Sequence, residues 1–404
     1  MPDIAPFAAL RPKPELAGRI CEPPYDVLSA EEARVMAGDN PLSFLRVSKP
    51  EIELAAGADP YAPEVYARGR RNFQRLMEQG ALRRDAAPCF YLYRQVMGKH
   101  SQTGVVAVAS CADYLQGAIK KHELTRVDKE DDRVRHIEAL DAQTGPAFLV
   151  YRAQPGLGAF VARRCAVPPE VDFTAPDGIR HSTWTIADAE GIQFVRDEFR
   201  RQPCLYIADG HHRTAAAARV FQQRGGAGGS GYFLSVIFPH DQMQILPYNR
   251  VLRDLNGLSP ASLWRRLETI FEITSPGSAV PARRNQMGFY FQGRWHTLLF
   301  RPAFSEAPDP AGRLDVALLQ KHVLEPVFGI DNPRTSARIT FVGGGRGVAE
   351  LEKMVESGQH ACAFSMRPTD IEELLAVADA GGLMPPKSTW FEPKLRDALF
   401  CHLL

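Results

Sequence analysis

The alternation of apolar and polar positions along the chain predicts its regular elements. From Pro63 to Gln79, apolar residues recur at helical spacing, which predicts an amphipathic helix. Cys89 to Met97 and Gly104 to Cys111 are rich in strand formers and flank a polar turn, as in a β-hairpin. Tyr232 to Phe238 and Met243 to Tyr248 predict a second hairpin by the same pattern.

The most informative pattern is a strand, a tight turn and a helix within residues 204 to 224. The apolar run Leu205 to Ile207 is broken by Asp209 and Gly210, and the alanine-rich segment Thr214 to Arg224 then has the composition of a helix. Such a turn directs unpaired backbone N–H groups and the positive end of the helix dipole toward one point. Because glycine permits close approach of a ligand, the pattern predicts an anion-binding site.

Three polar side chains in this turn strengthen the prediction. His211, His212 and Arg213 are consecutive, and an arginine can donate two parallel hydrogen bonds to a phosphate. The alternative is a capped turn, in which Asp209 caps the helix and the histidines lie on the surface.

The pattern changes near residue 256, where a new unit begins. Helices are expected over 260–271 and 314–328, a hairpin over 287–300, and a strand, helix and strand over 339–366. The glycines that begin at Gly343 do not have the spacing of a dinucleotide-binding loop.

Composition limits the class of protein. The chain has 404 residues, more than one hydrophobic core usually supports, and a formal net charge of +1, so nothing indicates a polyanionic partner and nucleic-acid binding is not expected. Its seven cysteines form no C-x-x-C pair, which is typical of free thiols in a reducing compartment. No apolar run approaches 18 residues, so we expect a cytoplasmic protein without a membrane partner. The expected division is 1–85, 86–255 and 256–404, with α/β (mixed α+β) structure.

A dense charge run between Lys120 and His136 has two interpretations. It is either a solvated helix face or part of a site, because a carboxylate, Glu123, stands among several cations. In the second interpretation Glu123 is a candidate general base, and Arg126 and Lys129 neutralise phosphate charge. The run is not the zinc motif H-E-x-x-H, since Arg126 stands in place of the second histidine.

The polar, proline-stiffened segment 384–394 is the last candidate. It carries Lys387, Ser388, Thr389 and Lys394, and it either reaches the active cleft or forms an ordinary terminal loop.

Five short blocks, in order along the chain, resemble the prokaryotic domain of unknown function 1015 family. They are Pro6–Pro12, Pro23–Val27, His122–Arg126, Asp209–Arg213 and Met384–Thr389. The D-G-H-H-R turn looks like the phosphate-binding turn of the ParB/sulfiredoxin superfamily, which includes free L-serine kinases. The resemblance implies a ParB/sulfiredoxin-like core with an N-terminal arm and a C-terminal α/β unit.

The resemblance also implies an activity and its residues. It implies phosphoryl transfer to the hydroxyl of free L-serine, with Mg²⁺ and with pyrophosphate, ADP or ATP as donor. An H-E-x-T block supplies the catalytic glutamate of the kinases, and here that block ends at Thr125. The implied roles are a base at Glu123, further catalytic groups at Asp209, His211 and His212, magnesium at Asp209, donor contacts at Gly210, Arg213, Thr214, Arg126 and Lys129, and substrate contacts at Thr125, Lys387, Ser388 and Thr389.

Two other functions use the same turn. One is a non-catalytic module that binds a nucleotide or nucleic acid, as in the DNA-partitioning branch of the superfamily. The absence of a long basic stripe and of a helix-turn-helix pattern argues against DNA. The other is a phosphatase or nuclease. The oligomeric state is left open.

Overall fold

The computed structural model describes residues 1–55 and 57–404 and divides into two units by contacts between residues. The first unit comprises Met1–Met243 and Pro393–Leu404, and the second comprises Gln244–Glu392. Each unit combines helices with β-sheets, which confirms the mixed α/β class. The division into 1–85, 86–255 and 256–404 that the sequence predicts stays a prediction.

The first unit contains most of the regular structure. Its strands are Ile4–Ala5, Leu10–Pro12, Leu82–Arg84, Phe90–Met97, His100–Ser110, Ile119–Lys120, Ala142–Gln143, Ala147–Tyr151, Val171–Thr174, Arg180–Ile186, Leu205–Asp209, Tyr232–Pro239 and His402–Leu403. Its α-helices are Ala17–Ile20, Ala30–Ala37, Leu45–Ser48, Pro63–Glu78, Cys111–Gln116, Val127–Leu140, Pro155–Arg164, Ala189–Arg200 and His211–Arg224. Short 3₁₀ turns occupy Pro14–Leu16, Tyr25–Val27, Pro50–Glu53 and His240–Gln242.

The predicted strand before the turn, Leu205–Asp209, lies within a nine-stranded mixed sheet. It pairs antiparallel with Ala147–Tyr151 on one side and parallel with Ile119–Lys120 on the other. Its residues from Leu205 to Ala208 are buried, as expected for a strand with neighbours on both edges and packing on both faces. This position brings the carboxyl ends of two parallel strands to one edge of the sheet.

One predicted hairpin is confirmed and the other is wrong. Phe90–Met97 pairs with His100–Ser110 as expected. Tyr232–Pro239 instead runs parallel to Ala147–Tyr151 and antiparallel to His100–Ser110, while Ile245–Leu246 pairs with Trp390–Phe391. Alternation along a strand reports which face is buried but does not identify its neighbours, so proximity in sequence was misleading here.

The helix after the turn, His211–Arg224, packs against the helix Val127–Leu140. Val134 and Ile137 of one helix form a buried cluster with Ala216 and Val220 of the other. The helix Val127–Leu140, which contains most of the charge run, is therefore amphipathic. Some of its polar residues are exposed, and its apolar residues pack against the other helix.

The second unit is built on a six-stranded sheet. The strands of this unit are Ile245–Leu246, Tyr248–Leu252, Phe271–Thr274, Gln286–Phe291, Arg294–Phe300, Ile339–Gly343, Cys362–Ser365 and Trp390–Phe391. The first and the last of them form a separate two-stranded sheet, and the other six form the large one. Its α-helices are Pro260–Ile270, Pro302–Ser305, Asp315–Leu319, Gly347–Glu356 and Ile371–Asp379, with a π-helical turn over Gln320–Leu324 and a 3₁₀ turn over Gly344–Arg346. The predicted strand, helix and strand after residue 339 are all present, and Tyr248–Leu252 lies between the two strands. Of the described helices, none is both long enough and apolar enough to span a membrane.

Candidate functional site

The predicted turn forms at the end of the strand Leu205–Asp209. Gly210 has φ +90°, and a Cβ on it would lie 3.3 Å from the Cα of Ala147. The Thr214 N–H donates to the Gly210 carbonyl at 3.0 Å, so the helix begins at His211, three residues earlier than its composition predicted. The buried Thr214 hydroxyl donates to the same carbonyl at 3.1 Å.

Asp209 does not cap the helix in the way the alternative interpretation required. Its Oδ1 accepts the N–H of Gly210 at 2.7 Å, and its Oδ2 accepts from Lys394 Nζ at 2.8 Å. Gly210, the residue before the helix His211–Arg224, has no side chain to cap its first N–H groups. The positive end of this helix is therefore available to an anion.

Charge stabilises the ionised form of Asp209. Burial alone would raise the pKa of this carboxyl, but the positive charges of Lys394 and Arg213 outweigh burial and hold the pKa below its ordinary range. Lys394 is the last residue of the proline-stiffened segment 384–394, so this end of the segment reaches the turn.

The surroundings of the Asp209 carboxylate show whether it fits the predicted magnesium ion. Across residues 1–55 and 57–404, no three or more His, Cys, Asp or Glu side chains are grouped to hold a metal ion. Magnesium is often bound by one or two carboxylates together with substrate phosphates. Lys394 and the Gly210 N–H already contact the two oxygens of Asp209, so in this arrangement the carboxylate does not fit a direct magnesium ligand.

Two buried histidines meet beside the turn. The rings of His122 and His211 lie edge to face with centroids 4.5 Å apart. Burial lowers the pKa of His122 to about 4, and burial together with the nearby His122 lowers the pKa of His211 well below its ordinary value. His122 Nδ1 and His211 Nε2 are buried without a hydrogen-bond partner among the described residues. Both rings are therefore neutral at pH 7, and each presents an unused nitrogen.

The segment 122–126 lies against the turn. Lys120 pairs in parallel register with Tyr206. The two segments that follow these strands therefore leave the sheet at the same edge, about three residues later. The backbone N–H of Arg126 donates to His212 Nε2 at 3.1 Å, and the His122 ring contacts His211. Glu123, half-buried, lies between these two contacts in sequence. The structure thus brings the predicted base segment and the predicted anion-binding turn together.

The other residues predicted in this segment already have partners. The Arg126 guanidinium is exposed and pairs with Asp128 at 2.8 Å. Lys129 Nζ donates to the Tyr61 hydroxyl at 2.8 Å, and the Thr125 hydroxyl donates to Glu130. Their roles in binding a donor or substrate stay predictions.

Arg213 is buried, with 10% of its side chain exposed, and points away from bulk solvent. It donates to the carbonyl of Pro146 at 2.7 Å and to both carboxylate oxygens of Asp26 at 3.1 and 3.2 Å. Burial alone would lower its pKa, but Asp26 and Asp209 raise the pKa further above its ordinary value, so the guanidinium stays charged. No pattern in the sequence assigned Asp26 a role, although it lies in the block Pro23–Val27.

The predicted substrate residues Lys387, Ser388 and Thr389 belong to the second unit. The Ser388 hydroxyl donates to the carbonyl of Pro385 at 2.6 Å, and Lys387 has φ +58°. Their contact with a substrate stays a prediction.

Gly210→Ala is expected to destabilise the protein by about 1 to 3 kcal/mol, because an alanine at φ +90° is strained and its Cβ crowds Ala147. Urea denaturation followed by circular dichroism measures the change. Gly158→Ala is the control: Gly158 lies inside the helix Pro155–Arg164 with open space around a Cβ, so stability should stay equal or rise by up to about 1 kcal/mol. Equal stabilities of Gly210→Ala and the unaltered protein would contradict the strained turn.

Comparison with known proteins adds a family and a set of structures. The model of a family described as a protein of unknown function, DUF1015, matches residues 4–317. A search of the curated proteins finds no match. SbnI of Staphylococcus aureus, solved with a C-terminal truncation, is 13% identical over 74% of this chain and 87% of that chain, with a TM-score of 0.41. A conserved hypothetical protein from Pyrococcus furiosus is 14% identical over 71% and 92%, with a TM-score of 0.36. A free serine kinase in complex with AMP is 13% identical over 70% and 89%, with a TM-score of 0.36.

Proposed function

This chain belongs to the DUF1015 family of proteins of unknown function, and we propose that it transfers a phosphoryl group from pyrophosphate or a nucleotide to the hydroxyl of free L-serine. One observation carries the proposal. A carboxylate segment, 122–126, is held against an uncapped helix N-terminus by the bond from Arg126 N–H to His212 and by the contact of two histidine rings. Phosphoryl transfer needs an anion cradle with a proton acceptor beside it.

The turn supplies the cradle. Backbone N–H groups of residues 211–213 form the positive end of the helix and bind the donor phosphates. The charges of Arg213 and Lys394 lie at the same turn and offset the negative charge of the donor. Arg126 and Lys129 add cations at the outer edge of the site.

Glu123 supplies the proton acceptor. It takes the proton from the serine hydroxyl as the serine oxygen forms its bond to phosphorus and the bond between phosphorus and the leaving oxygen breaks. The leaving group is inorganic phosphate when pyrophosphate is the donor. The neutral rings of His122 and His211 add no cation that would neutralise this carboxylate.

A direct assay tests the proposal. The purified protein is incubated with Mg²⁺, free L-serine and one donor at a time, namely pyrophosphate, ADP or ATP, and phosphoserine is measured by mass spectrometry. Phosphoserine with one donor, and none in the absence of protein, is the expected result. If no donor yields phosphoserine although a donor binds in calorimetry, the protein is a binding module.

Arg213→Ala is expected to weaken donor binding about tenfold to a hundredfold, since a charge-assisted hydrogen bond in a partly buried site contributes about 1.5 to 3 kcal/mol. Calorimetric titration with pyrophosphate and with ADP measures the affinity. Arg224→Ala at the other end of the same helix removes an arginine paired with Asp141 and should leave donor affinity unchanged. Equal affinities in the two variants would remove Arg213 from the donor site.

A further inference from the structure

A cavity beside the turn has polar walls, of which the proposed donor contacts use only Arg213. Tyr25, Arg133, Gly145, Arg213 and Asp397 line it, together with the mainly buried residues Ser48, His136, Ile137, Ala142, Gln143, Thr144, Ala147, Phe233 and Leu234. It encloses about 490 Å³ of atom-free space, part of which is open to solvent. Within that space, water-sized molecules fit over about 40 Å³, which is room for about three waters or a ligand of a few non-hydrogen atoms.

Asp397 is the most unusual group in this wall. It is 3% exposed, and its Oδ1 is buried without a hydrogen-bond partner among the described residues. Burial raises the pKa of this carboxyl to about 7, despite the positive charge of Arg213. Gly145 leaves room for the carboxyl, because a Cβ there would lie 2.6 Å from Oδ1. A buried polar group without a partner needs an explanation, and a ligand that the structure does not contain is one.

Two arginines give the same cavity a positive side. The Arg133 guanidinium lies 3.7 Å from the ring centroid of Tyr25 and pairs with Asp132 at 2.7 Å. Arg213 lies 5.9 Å from the same ring centroid. Asp132 and Asp26 partly neutralise these arginines, whereas neither arginine forms an ion pair with Asp397 in the described part of the chain.

We propose that this cavity binds a small molecule with both an ammonium and a carboxylate group, the ammonium beside Asp397 and the carboxylate beside Arg133 and Arg213. An ammonium group supplies the positive partner that Asp397 lacks. A polyanion such as pyrophosphate fits less well, because it would face a buried carboxyl with no cation paired to it. The ligand class is therefore a free α-amino acid. Only the further claim that this ligand is the phosphoryl acceptor rests on the proposed function.

Calorimetric titration of the full chain, without any phosphoryl donor, tests the ligand class. The probes are L-serine, L-alanine, ethanolamine, which lacks the carboxylate, and glycolate, which lacks the ammonium. Serine and alanine should bind, and the two analogues with a single charge should bind about tenfold more weakly or worse. Equal binding of ethanolamine or glycolate, or no binding of either amino acid, would overturn the proposal.

Asp397→Asn tests the residue. The amide keeps the shape of the carboxyl, so the variant should fold, and its affinity for alanine should fall about tenfold to a hundredfold. The control is Asp39→Asn, at an exposed position, which should bind alanine as the unaltered protein does. Unchanged alanine affinity in Asp397→Asn would contradict the assignment, and the probe series on the unaltered protein decides the ligand class even if the variant misfolds.

The outcomes separate this inference from the proposed function. If alanine binds through Asp397 but no donor yields phosphoserine, the site stands and the kinase activity fails. If phosphoserine forms while Asp397→Asn leaves alanine binding unchanged, the activity stands and this site fails.

Discussion

Glu123→Gln is expected to lower the rate of phosphoserine formation by about 10²- to 10⁴-fold, because glutamine keeps the shape of glutamate but cannot accept the hydroxyl proton. Donor affinity should change little, since the donor is held by the turn and its cations. The rate is measured by phosphoserine formation at saturating serine, and the affinity by calorimetry. A loss of rate without a loss of donor affinity is the signature of a group that acts on the reacting atoms.

Glu138→Gln is the matched control for this experiment. Glu138 is exposed on the helix Val127–Leu140, which follows the segment 122–126, so its replacement removes a nearby carboxylate of the same type. This variant should keep the full rate. Full activity of Glu123→Gln would instead place Glu123 among the solvated charges of the run and favour the binding module.

A large pH effect on stability is expected from His181, which is buried in the sheet strand Arg180–Ile186. Its Nε2 accepts from Arg396 Nε at 3.1 Å, so its Nδ1 carries the proton and donates to the Tyr93 hydroxyl at 2.7 Å. Burial and the charge of Arg396 lower its pKa to about 3. In the unfolded chain His181 binds a proton near pH 6.5, whereas in the folded chain it stays neutral at that pH. The free energy of unfolding therefore decreases as the pH falls.

His181→Gln should remove this pH dependence. Between pH 7 and pH 4, the free energy of unfolding should fall by about 3 kcal/mol more in the unaltered protein than in the variant. Urea denaturation at several pH values measures the difference, and the other titrating groups cancel because both proteins contain them. Tyr93→Phe, which loses only the hydroxyl partner, should lose stability but keep the pH-dependent part. Parallel pH curves for His181→Gln and the unaltered protein would mean that His181 has the same pKa in the folded chain as in the unfolded chain.

Local patterns predicted the strand, turn and helix at the centre of the candidate site. The change from apolar strand formers to Asp209-Gly210 and then to alanines is contained within about twenty residues, and it fixes strand, turn and helix without reference to distant neighbours. The placement of Glu123 beside the turn needed the fold. It depends on the parallel pairing of Ile119–Lys120 with Leu205–Tyr206, which the chain between them does not indicate.

Contacts between distant parts of the chain explain what the sequence did not predict. Asp26 pairs with Arg213 across 187 positions, and Asp397 lines the same cavity from near the C-terminal end. Each is a single acidic residue without a local pattern, so only the tertiary structure gives it a partner. The error in the second hairpin has the same origin, because Tyr232–Pro239 pairs with strands more than eighty residues earlier.

The bond between Lys394 and Asp209 has a consequence for biosynthesis. The two residues are 185 positions apart, and the whole second unit, Gln244–Glu392, is synthesised between them. Translation must pass residue 394 before Asp209 can acquire its lysine partner, so a nascent chain that already contains the turn still lacks this ion pair. Closing so long a loop is slow compared with forming local contacts. A lysine synthesised 185 residues later therefore completes the electrostatics of the turn.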